Sequence, residues 1–592
     1  MRYKGIKSIL FLIIFLAPAV GYLNILSGNK NTIIEPIIMM LASAWLLIQK
    51  VKSSSKYSLG IPEFSFLLFL FIIIIKNLLS DHFNIHDLCY IFFFFLLYLD
   101  FKSLFSDYQI KHLSFLLFVL SGVTLTVYIT LALYHYYIQN ERLKFFYIPN
   151  MSIFGILLGS QLIFFMAIGL LQKKDQSLFR CQKFIFTVVI ILSGFLLILT
   201  ESRAGWLGFA AASFYATYQY LQSLRLKKRV LYFAASFLVA LFFALLIYKP
   251  GSTAGRGLVY KITAEKLKES WISGIGYGQL KVRYNEYQAS YFSQHDIDSK
   301  EASFADNTFY AFNDVLQILI ENGIIGLLVT ILIMTSLFWK INKTQIPPES
   351  KHLFIAATAS LICILSSALF SYPLQVYPIL IQTTLCFSIV NYFSSKGNPH
   401  IILSGKLDKI AKSISVLSSL LLFIHFFYYS NYNRKKLEAG ELKKSGFKHQ
   451  SVKKYIELEN SYIKNGNMLY LYALEMYYSN QLSKAKEILS KAKKYYCSND
   501  VYKLSAKIEE ELGNYEQAEK DYKIVIYMVP NRMLSRKNLL DYYVRQNDST
   551  NAVYWANSII NMPVKIPSEI TRNIQKKTKD ILMELKKQRK SF

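Results

Sequence analysis

From Phe184 to Arg229 the chain reads FIFTVVIILSGFLLILTESRAGWLGFAAASFYATYQYLQSLRLKKR. Two apolar runs flank the short polar turn Thr200-Glu201-Ser202-Arg203, and a basic cluster, Arg225 to Arg229, follows the second run. A helix needs about 20 apolar residues to cross roughly 30 Å of hydrocarbon. The stretch therefore predicts a helical hairpin with its tight turn on one side of a bilayer and a Lys/Arg-rich loop on the other. Similar apolar blocks begin near Ser8, Ile33, Ile61, Leu88, Leu113, Ser152, Phe184, Ala204, Val230, Gly323, Leu353, Leu374 and Ser413. Of the 592 residues 53% are hydrophobic and 16% aromatic, more apolar surface than a soluble fold of this size buries. The expected fold is all-α: a polytopic transmembrane helix bundle of about 12–13 spans, with a large outer loop and a C-terminal helical-repeat domain.

Charge sets the direction of threading. With the N-terminus inside, the inner loops are residues 49–58, 100–111, 172–183, 223–229, 340–351 and 394–412. These hold Lys52 and Lys56, Lys173, Lys174 and Arg180, the Arg225–Arg229 cluster, Lys340, Lys343 and Lys351, and Lys396, Lys406 and Lys409. Short inner loops carry the Lys/Arg excess of multi-pass proteins. The net charge of +29 is thus a topological signal, and nucleic acid is not an expected partner. Arg2, Lys4 and Lys7 ahead of Ile9–Phe15 read as the start of the first span rather than a cleaved signal. Cys89, Cys181, Cys363, Cys386 and Cys497 are scattered, odd in number and without CxxC spacing, which predicts neither a disulfide framework nor a zinc site.

Two segments depart from the bundle pattern. Residues 249–312, on the outer side, mix acids and bases and are long enough to fold as a cap. Leu258, Ile262, Leu267 and Trp271 recur at helical spacing among Lys261, Glu265, Lys266, Lys268 and Glu269, predicting an amphipathic helix on the membrane surface. Gly274-Ile275-Gly276-Tyr277-Gly278 ends that helix, and without GxGxxG spacing or a preceding strand it is a poor nucleotide loop. The tail, residues 431–592, also falls outside and repeats with a period near 34. Ala473, Ala485 and Ala492 are followed at an offset of 33 by Ala506, Ala518 and Val525, and Ala552 follows Ala518 by 34. Gly513 and Pro530 mark turns, and Gly446 marks an earlier, degenerate unit. The pattern resembles tetratricopeptide repeats, which stack helix pairs through small residues and bind partners, although the large aromatic near the repeat start is missing. The expected domains are 1–430, containing the 249–312 cap, and 431–592.

Ionisable residues in or beside spans are expensive and mark function. Glu35 and Lys76 lie at the outer ends of the second and third spans, and Glu201 and Arg203 in the outer turn between the seventh and eighth. Arg256 opens the cap after Gly251-Ser252-Thr253-Ala254-Gly255. Asn313, Gln317 and Glu321, spaced i, i+4, i+8 before the tenth span, share one helix face. Two arginines at the outer face suit an anionic lipid headgroup, because the planar guanidinium grips phosphate oxygens through paired hydrogen bonds and keeps its charge. Taken singly, Arg203 also fits a snorkelling helix-end residue and Arg256 a solvated loop residue. Their shared face favours a site.

Four pieces carry a family resemblance: Pro149-Asn150, Glu201-Ser202-Arg203-Ala204-Gly205, Gly255-Arg256 through Gly278, and Asn313-Asp314-Val315-Leu316-Gln317 with Glu321-Asn322-Gly323-Ile324-Ile325-Gly326. In order, spacing and topology, residues 150–340 resemble the O-antigen ligase and polymerase family of bacterial membrane glycosyltransferases. The resemblance implies transfer of a glycan from undecaprenyl pyrophosphate to lipid A core, a polysaccharide or a protein, at the periplasmic face of the inner membrane. It implies that Arg203 and Arg256 hold the departing diphosphate, doing electrostatically what a metal does in other transferases. No metal or cofactor is then expected, and Lys76, Asn313, Gln317 and Glu321 complete the substrate-binding set. The repeats would take a protein partner. Many ligases carry a histidine just before the motif asparagine, assigned to activating the acceptor hydroxyl, whereas Phe312 stands there in this chain. Three explanations stay open: another base, with Asp314, Glu201 and His295 as candidates; a dissociative transition state that needs little base; or loss of activity. A carboxylate at Asp314 equally fits a helix-capping role. Two other classes compete. A lipid-linked sugar transporter or flippase would bind near the bilayer midplane on broken helices in repeated halves, and a membrane scaffold would recruit glycan-assembly enzymes through its repeats.

Overall fold

The computed structural model describes residues 34–52, 58–78, 85–107, 110–138, 151–171, 180–220, 250–338, 346–395, 401–564 and 567–590, with short stretches within 236–244. The expected first span near Ser8, most of the ninth near Val230, the Pro149-Asn150 pair and most of the basic inner-loop residues lie outside the described residues. Contacts divide the chain into two units. One is Met1–Leu79, Asn84–Tyr248 and Phe312–Arg434; the other is Ser80–Phe83, Lys249–Ala311 and Lys435–Phe592.

The first unit is a helix bundle: α1 Ile34–Lys52, α2 Ile61–Leu78, α3 Ile85–Asp107, α4 Ile110–Ile138, α5 Met151–Leu171, α6 Arg180–Leu199 and α7 Arg203–Tyr220 precede the cap. The cap contributes α8 Pro250–Ser270 and α9 Gln279–Ser293, and the bundle resumes with α10 Asp314–Phe338, α11 Lys351–Ala368, α12 Tyr377–Ser395 and the long α13 Gly405–Lys444. Seven of these, α2 to α5, α10, α11 and α13, are long and apolar enough to cross a bilayer, so this is a multi-pass membrane protein. At its centre α11 packs on α5, α7 and α12, and α5 on α7. Both α5 and α11 are buried almost all round, as innermost helices must be.

Polar groups inside the bundle bond across helices, as they must where no water competes. The sequence reading overlooked the fullest such network. Glu63 of α2 is fully buried and accepts from Gly60 N (2.8 Å), Tyr98 Oη (2.5 Å), Lys102 Nζ (2.6 Å) and Asn391 Nδ2 (2.9 Å). This knot ties α2, α3 and α12 together beside a short antiparallel pairing of β1, Ser58–Leu59, with β2, Ile401–Ile402. The pairing brings together two loops that the charge count places on the inner side, a count that includes the span expected outside the described residues.

The second unit joins the cap to the tail. In the tail α13 ends and α14 Lys448–Glu459, α15 Gly466–Tyr478, α16 Leu482–Tyr495, α17 Asn499–Glu511, α18 Tyr515–Met528, α19 Met533–Arg545, α20 Ser549–Asn561 and α21 Glu569–Lys590 follow. Gly446, Asn480, Gly513 and Asn547 all adopt left-handed backbone, at steps of 34, 33 and 34. Each follows a helix by two residues, and the next residue's N–H bonds back into that helix: Phe447 to Leu442 O, Gln481 to Met476 O, Asn514 to Glu509 O and Asp548 to Tyr543 O, at 2.8–3.0 Å. This is one C-terminal cap geometry used four times. Ala473, Ala485, Ala492, Ala506, Ala518 and Ala552 are all fully buried between the helices.

The cap packs directly on this array through α9 against α18. Gln288 Nε2 donates to Met528 O, Asn285 Nδ2 to Cys497 O (3.0 Å), and Asn531 Nδ2 to Ser303 O and Ala305 O (2.8 and 2.7 Å). Arg536, buried to 1% exposure, donates to Asp298 Oδ1 and Ser558 Oγ (both 2.6 Å) and to Ile297 O and Pro530 O (both 3.1 Å). The helix predicted to lie on the membrane instead spends part of its apolar face inside the cap. Leu258, Val259 and Ile262 of α8 are buried, where α8 meets α9 and the 3-10 turn Ala302–Phe304, while Trp271 and Ile272 stay exposed. Between the two ends are Gly274, Gly276 and Gly278, all left-handed, which makes the glycine run a turn that side-chain-bearing residues would strain.

Candidate functional site

Arg203 is the first residue of α7, and the turn before it is stitched tightly. Thr200 Oγ1 donates to Leu197 O (2.7 Å), Ser202 Oγ donates to Ser152 O of α5 (2.6 Å) and accepts from Gly205 N (3.1 Å), and Trp206 Nε1 donates to Leu197 O (2.8 Å). Ser202 is therefore the N-cap of α7. Gly205 is fixed by crowding: a Cβ there would stand 2.7 Å from the carbonyl carbon of Gly155, so α5 and α7 touch backbone to backbone as small-residue membrane interfaces do. Glu201, exposed at the apex, has φ 49°. A non-glycine residue held there costs roughly 1–2 kcal/mol, and such outliers gather at functional sites.

The second motif opens α10. Asn313 caps the helix, its Oδ1 accepting from Val315 N (3.0 Å) and Leu316 N (3.1 Å). The capping role considered for Asp314 thus falls to its neighbour. Asp314, buried to 1% exposure, accepts instead from Leu374 N (2.9 Å), tying α10 to the 3-10 turn Pro373–Gln375. Phe312, also left-handed at φ 52°, packs edge-on to Tyr372 with ring centroids 5.4 Å apart. The same linker reaches the arginine turn, since Ser367 Oγ at the end of α11 donates to Ala204 O (2.9 Å). The seven backbone steps from Ser367 to Leu374 hold these two contact points within roughly 25 Å of each other.

Within α10 the helix is broken at Gly323, whose φ 68° and ψ −174° no longer follow the spiral. The break lies nine residues from Asp314, roughly 14 Å along the axis. The Asn322 carbonyl it frees accepts from Lys76 Nζ of α2 (2.6 Å). Gln317 Nε2 donates to Glu321 Oε1 (3.2 Å), and both are buried, as is Asn322. Neither polar atom of the Asn322 carboxamide finds a partner among the described residues, an omission worth about 1–3 kcal/mol against stability.

Residues 188–331 match the O-Antigen ligase family model. No curated protein matches the chain. The ligase match takes in Glu201, Arg203, Arg256, His295, Asn313, Asp314, Gln317 and Glu321 and leaves out Lys76 and the repeats. It favours, in general terms, a glycan-transferring ligase or polymerase.

Inside the ligase-matching segment the candidates divide between the two units. Glu201, Arg203, Asn313, Asp314, Gln317 and Glu321, together with Lys76, belong to the bundle, whereas Arg256 and His295 belong to the second unit. Arg256 is half-buried on α8. His295 stacks on Tyr291 with centroids 3.9 Å apart, and its Nδ1 faces Tyr291 O at 2.8 Å; a proton donated there leaves Nε2 as the basic nitrogen. Tyr291 Oη in turn donates to Glu301 Oε2 (2.7 Å), and Lys261 Nζ reaches both Tyr291 Oη (2.5 Å) and Glu301 Oε1 (3.0 Å). Sequence reasoning did not assign Asn322, Lys261, Tyr291 or the Ser367–Gln375 linker. The readable signal for Asn322 was its place beside Glu321 at the edge of an apolar run.

Proposed function

We propose that this protein transfers a glycan from a polyprenyl-diphosphate donor to an acceptor hydroxyl at the outer face of the bacterial inner membrane. In that reaction the bond between the anomeric carbon and the diphosphate oxygen breaks, the acceptor oxygen bonds to that carbon, and the hydroxyl proton passes to a base. The observation that carries the reading is Arg203 at the first position of α7. A cation there opposes the helix dipole by about 0.3–1 kcal/mol; an anion held by the guanidinium and the first amides of α7 reverses the sign. A departing diphosphate is such an anion, and stabilising it as it leaves is the electrostatic help the reaction needs. Among the candidate bases, Glu201 is exposed on the arginine turn itself, whereas Asp314 is engaged by the Leu374 amide. Glu201 is accordingly the better-placed base. Arg256 and His295 are proposed to meet the donor or acceptor from the cap, and the tetratricopeptide-like array to hold the cap in shape.

Glycans of a deletion strain test this reading. Full-length polymer left on its lipid carrier identifies a ligase and single repeat units a polymerase; an unchanged glycan profile overturns both. A lipid-linked sugar transporter is the second reading, favoured by the break at Gly323. Transporters place their broken helices near the midplane, whereas Lys76, two residues from the end of α2, bonds the carbonyl beside this break and so draws it toward one end of the span.

A further inference from the structure

A groove lies in the second unit between α9 of the cap and α18 of the repeats. It encloses about 760 Å³, inside the roughly 300–1,000 Å³ span of ligand sites, and none of the candidate residues above lines it. Glu286, Ser290 and Ser293 from α9 face Lys520, Lys523 and Tyr527 from α18. Tyr502 of α17 also lines it, and Ala289 forms an apolar floor with Met528 and Val529 beneath. The bonds from Gln288 to Met528 O and from Asn285 to Cys497 O hold the two walls in place.

We propose that this groove is a glycan-binding subsite that takes a stretch of neutral or weakly charged oligosaccharide. A sugar ring offers an apolar C–H face and a rim of hydroxyls that both donate and accept. Tyrosine presents a matching apolar face with a polar tip, and carboxylates and ammonium groups bind hydroxyls through charge-assisted hydrogen bonds. Two of the wall carboxylates are paired: Glu286 with Arg283 Nη1 (3.4 Å), while also accepting from Tyr502 Oη (3.1 Å), and Glu519 with Lys523 Nζ (2.5 Å). Three carboxylates, Glu286, Glu516 and Glu519, against two ammonium groups, Lys520 and Lys523, disfavour a polyphosphate. The small alanine floor disfavours a lipid chain. The ligand class rests on the glycan-transfer reading: sugars held here, away from the reacting bond, supply remote binding energy to the reaction.

The test uses the full chain in detergent, with titration calorimetry and, as probe, short oligosaccharides released by mild acid from the host's own membranes. Ser290→Trp fills the groove, Tyr527→Leu removes the phenol while keeping apolar volume, and Lys520→Ala trims the exposed rim. The first two should each weaken binding about tenfold or more, and the third about threefold. Lys520→Ala carries the test if either larger change lowers the melting temperature. Arg203→Lys should leave this binding unchanged, so that loss of transfer and loss of the groove are read separately. Unaltered affinity in the variants, no saturable binding by the wild-type chain, or preference for a size-matched neutral peptide over the oligosaccharide would each overturn the proposal.

Discussion

Arg203, Asp314 and Asn322 are each held in a way that ordinary stability does not favour, and each separates a structural from a functional role. Arg203→Lys keeps the charge but loses the planar fork, so transfer should fall roughly tenfold to a hundredfold at unchanged expression; wild-type transfer would make the arginine structural. Asp314 anchors the Leu374 amide. Asp314→Asn retains an accepting oxygen and should leave both thermal stability and transfer close to wild type, whereas Asp314→Ala strands a buried N–H and should cost about 1–3 kcal/mol in a melting experiment. Loss of transfer in Asp314→Asn at full stability would instead restore Asp314 as the base. Asn322 buries a carboxamide without partners among the described residues, as a site built to bind something polar does. Asn322→Leu, similar in volume and apolar, should raise the melting temperature while lowering transfer, the trade expected where a binding group is kept at the expense of stability. A lower melting temperature would show that the carboxamide has a structural bond.

Among the elements, legibility followed the physics of each signal. Span positions were readable because lipid imposes length and apolarity together: the described helices α1 to α7, α11 and α12 begin within four residues of the predicted starts, while α10 and α13 begin nine and eight residues earlier than their apolar runs. The repeat period was readable in its alanines, yet two of its four turns were not, because Asn480 and Asn547 occupy the left-handed position that Gly446 and Gly513 fill and asparagine carries no such mark in sequence. In sequence Gly323 reads as the start of a span, whereas it breaks a helix that already begins at Asp314, and the Glu63 network joins residues more than three hundred positions apart, as Asn391 does. The cap cluster around Tyr291 makes a pH prediction. Burial alone would raise the Glu301 carboxyl, but hydrogen bonds from Tyr291 and Lys261 and the charge of Lys261 hold it below its ordinary 4.5. A depressed carboxyl stabilises fully above its unfolded value and ceases to as pH falls through the folded one. Wild type and Glu301→Gln should therefore differ in melting temperature at pH 7 and converge well below pH 4.5. Lys261 is 47% and Glu301 34% exposed, so the difference should be small and shrink in high salt. A gap that persists at low pH would assign it to packing.

For the molecule as a whole, the cap and the tail fold as one body, although 123 residues separate Ala311 from Lys435 in sequence. One body lies on one side of a membrane, so the chain between Ala311 and Lys435 is expected to cross an even number of times. With α10, α11 and α13 as candidate spans, that parity makes α12 the expected fourth crossing, although its glutamine, serines and asparagine leave it less apolar than they are. Reporter fusions after Ser293 and after Tyr470 should accordingly read the same side, and opposite readings would break the unit apart. Arg536→Ala, which abandons Asp298 and the carbonyls of Ile297 and Pro530, should destabilise by about 1–3 kcal/mol, since Asp298 itself is solvent-exposed, and expose the cap to protease; an unchanged digestion pattern would deny it that role. In the proposed reaction the protein makes a glycosidic bond at the face holding Arg203. This step is tested most directly with purified full chain in liposomes, supplied with a polyprenyl-diphosphate oligosaccharide and an acceptor, with EDTA present and products identified by mass spectrometry. Free polyprenyl diphosphate together with a lengthened acceptor is the expected result, both sharply reduced in Arg203→Lys. Movement of the donor across the bilayer with its sugar–phosphate bond intact, and no lengthened acceptor, would contradict it.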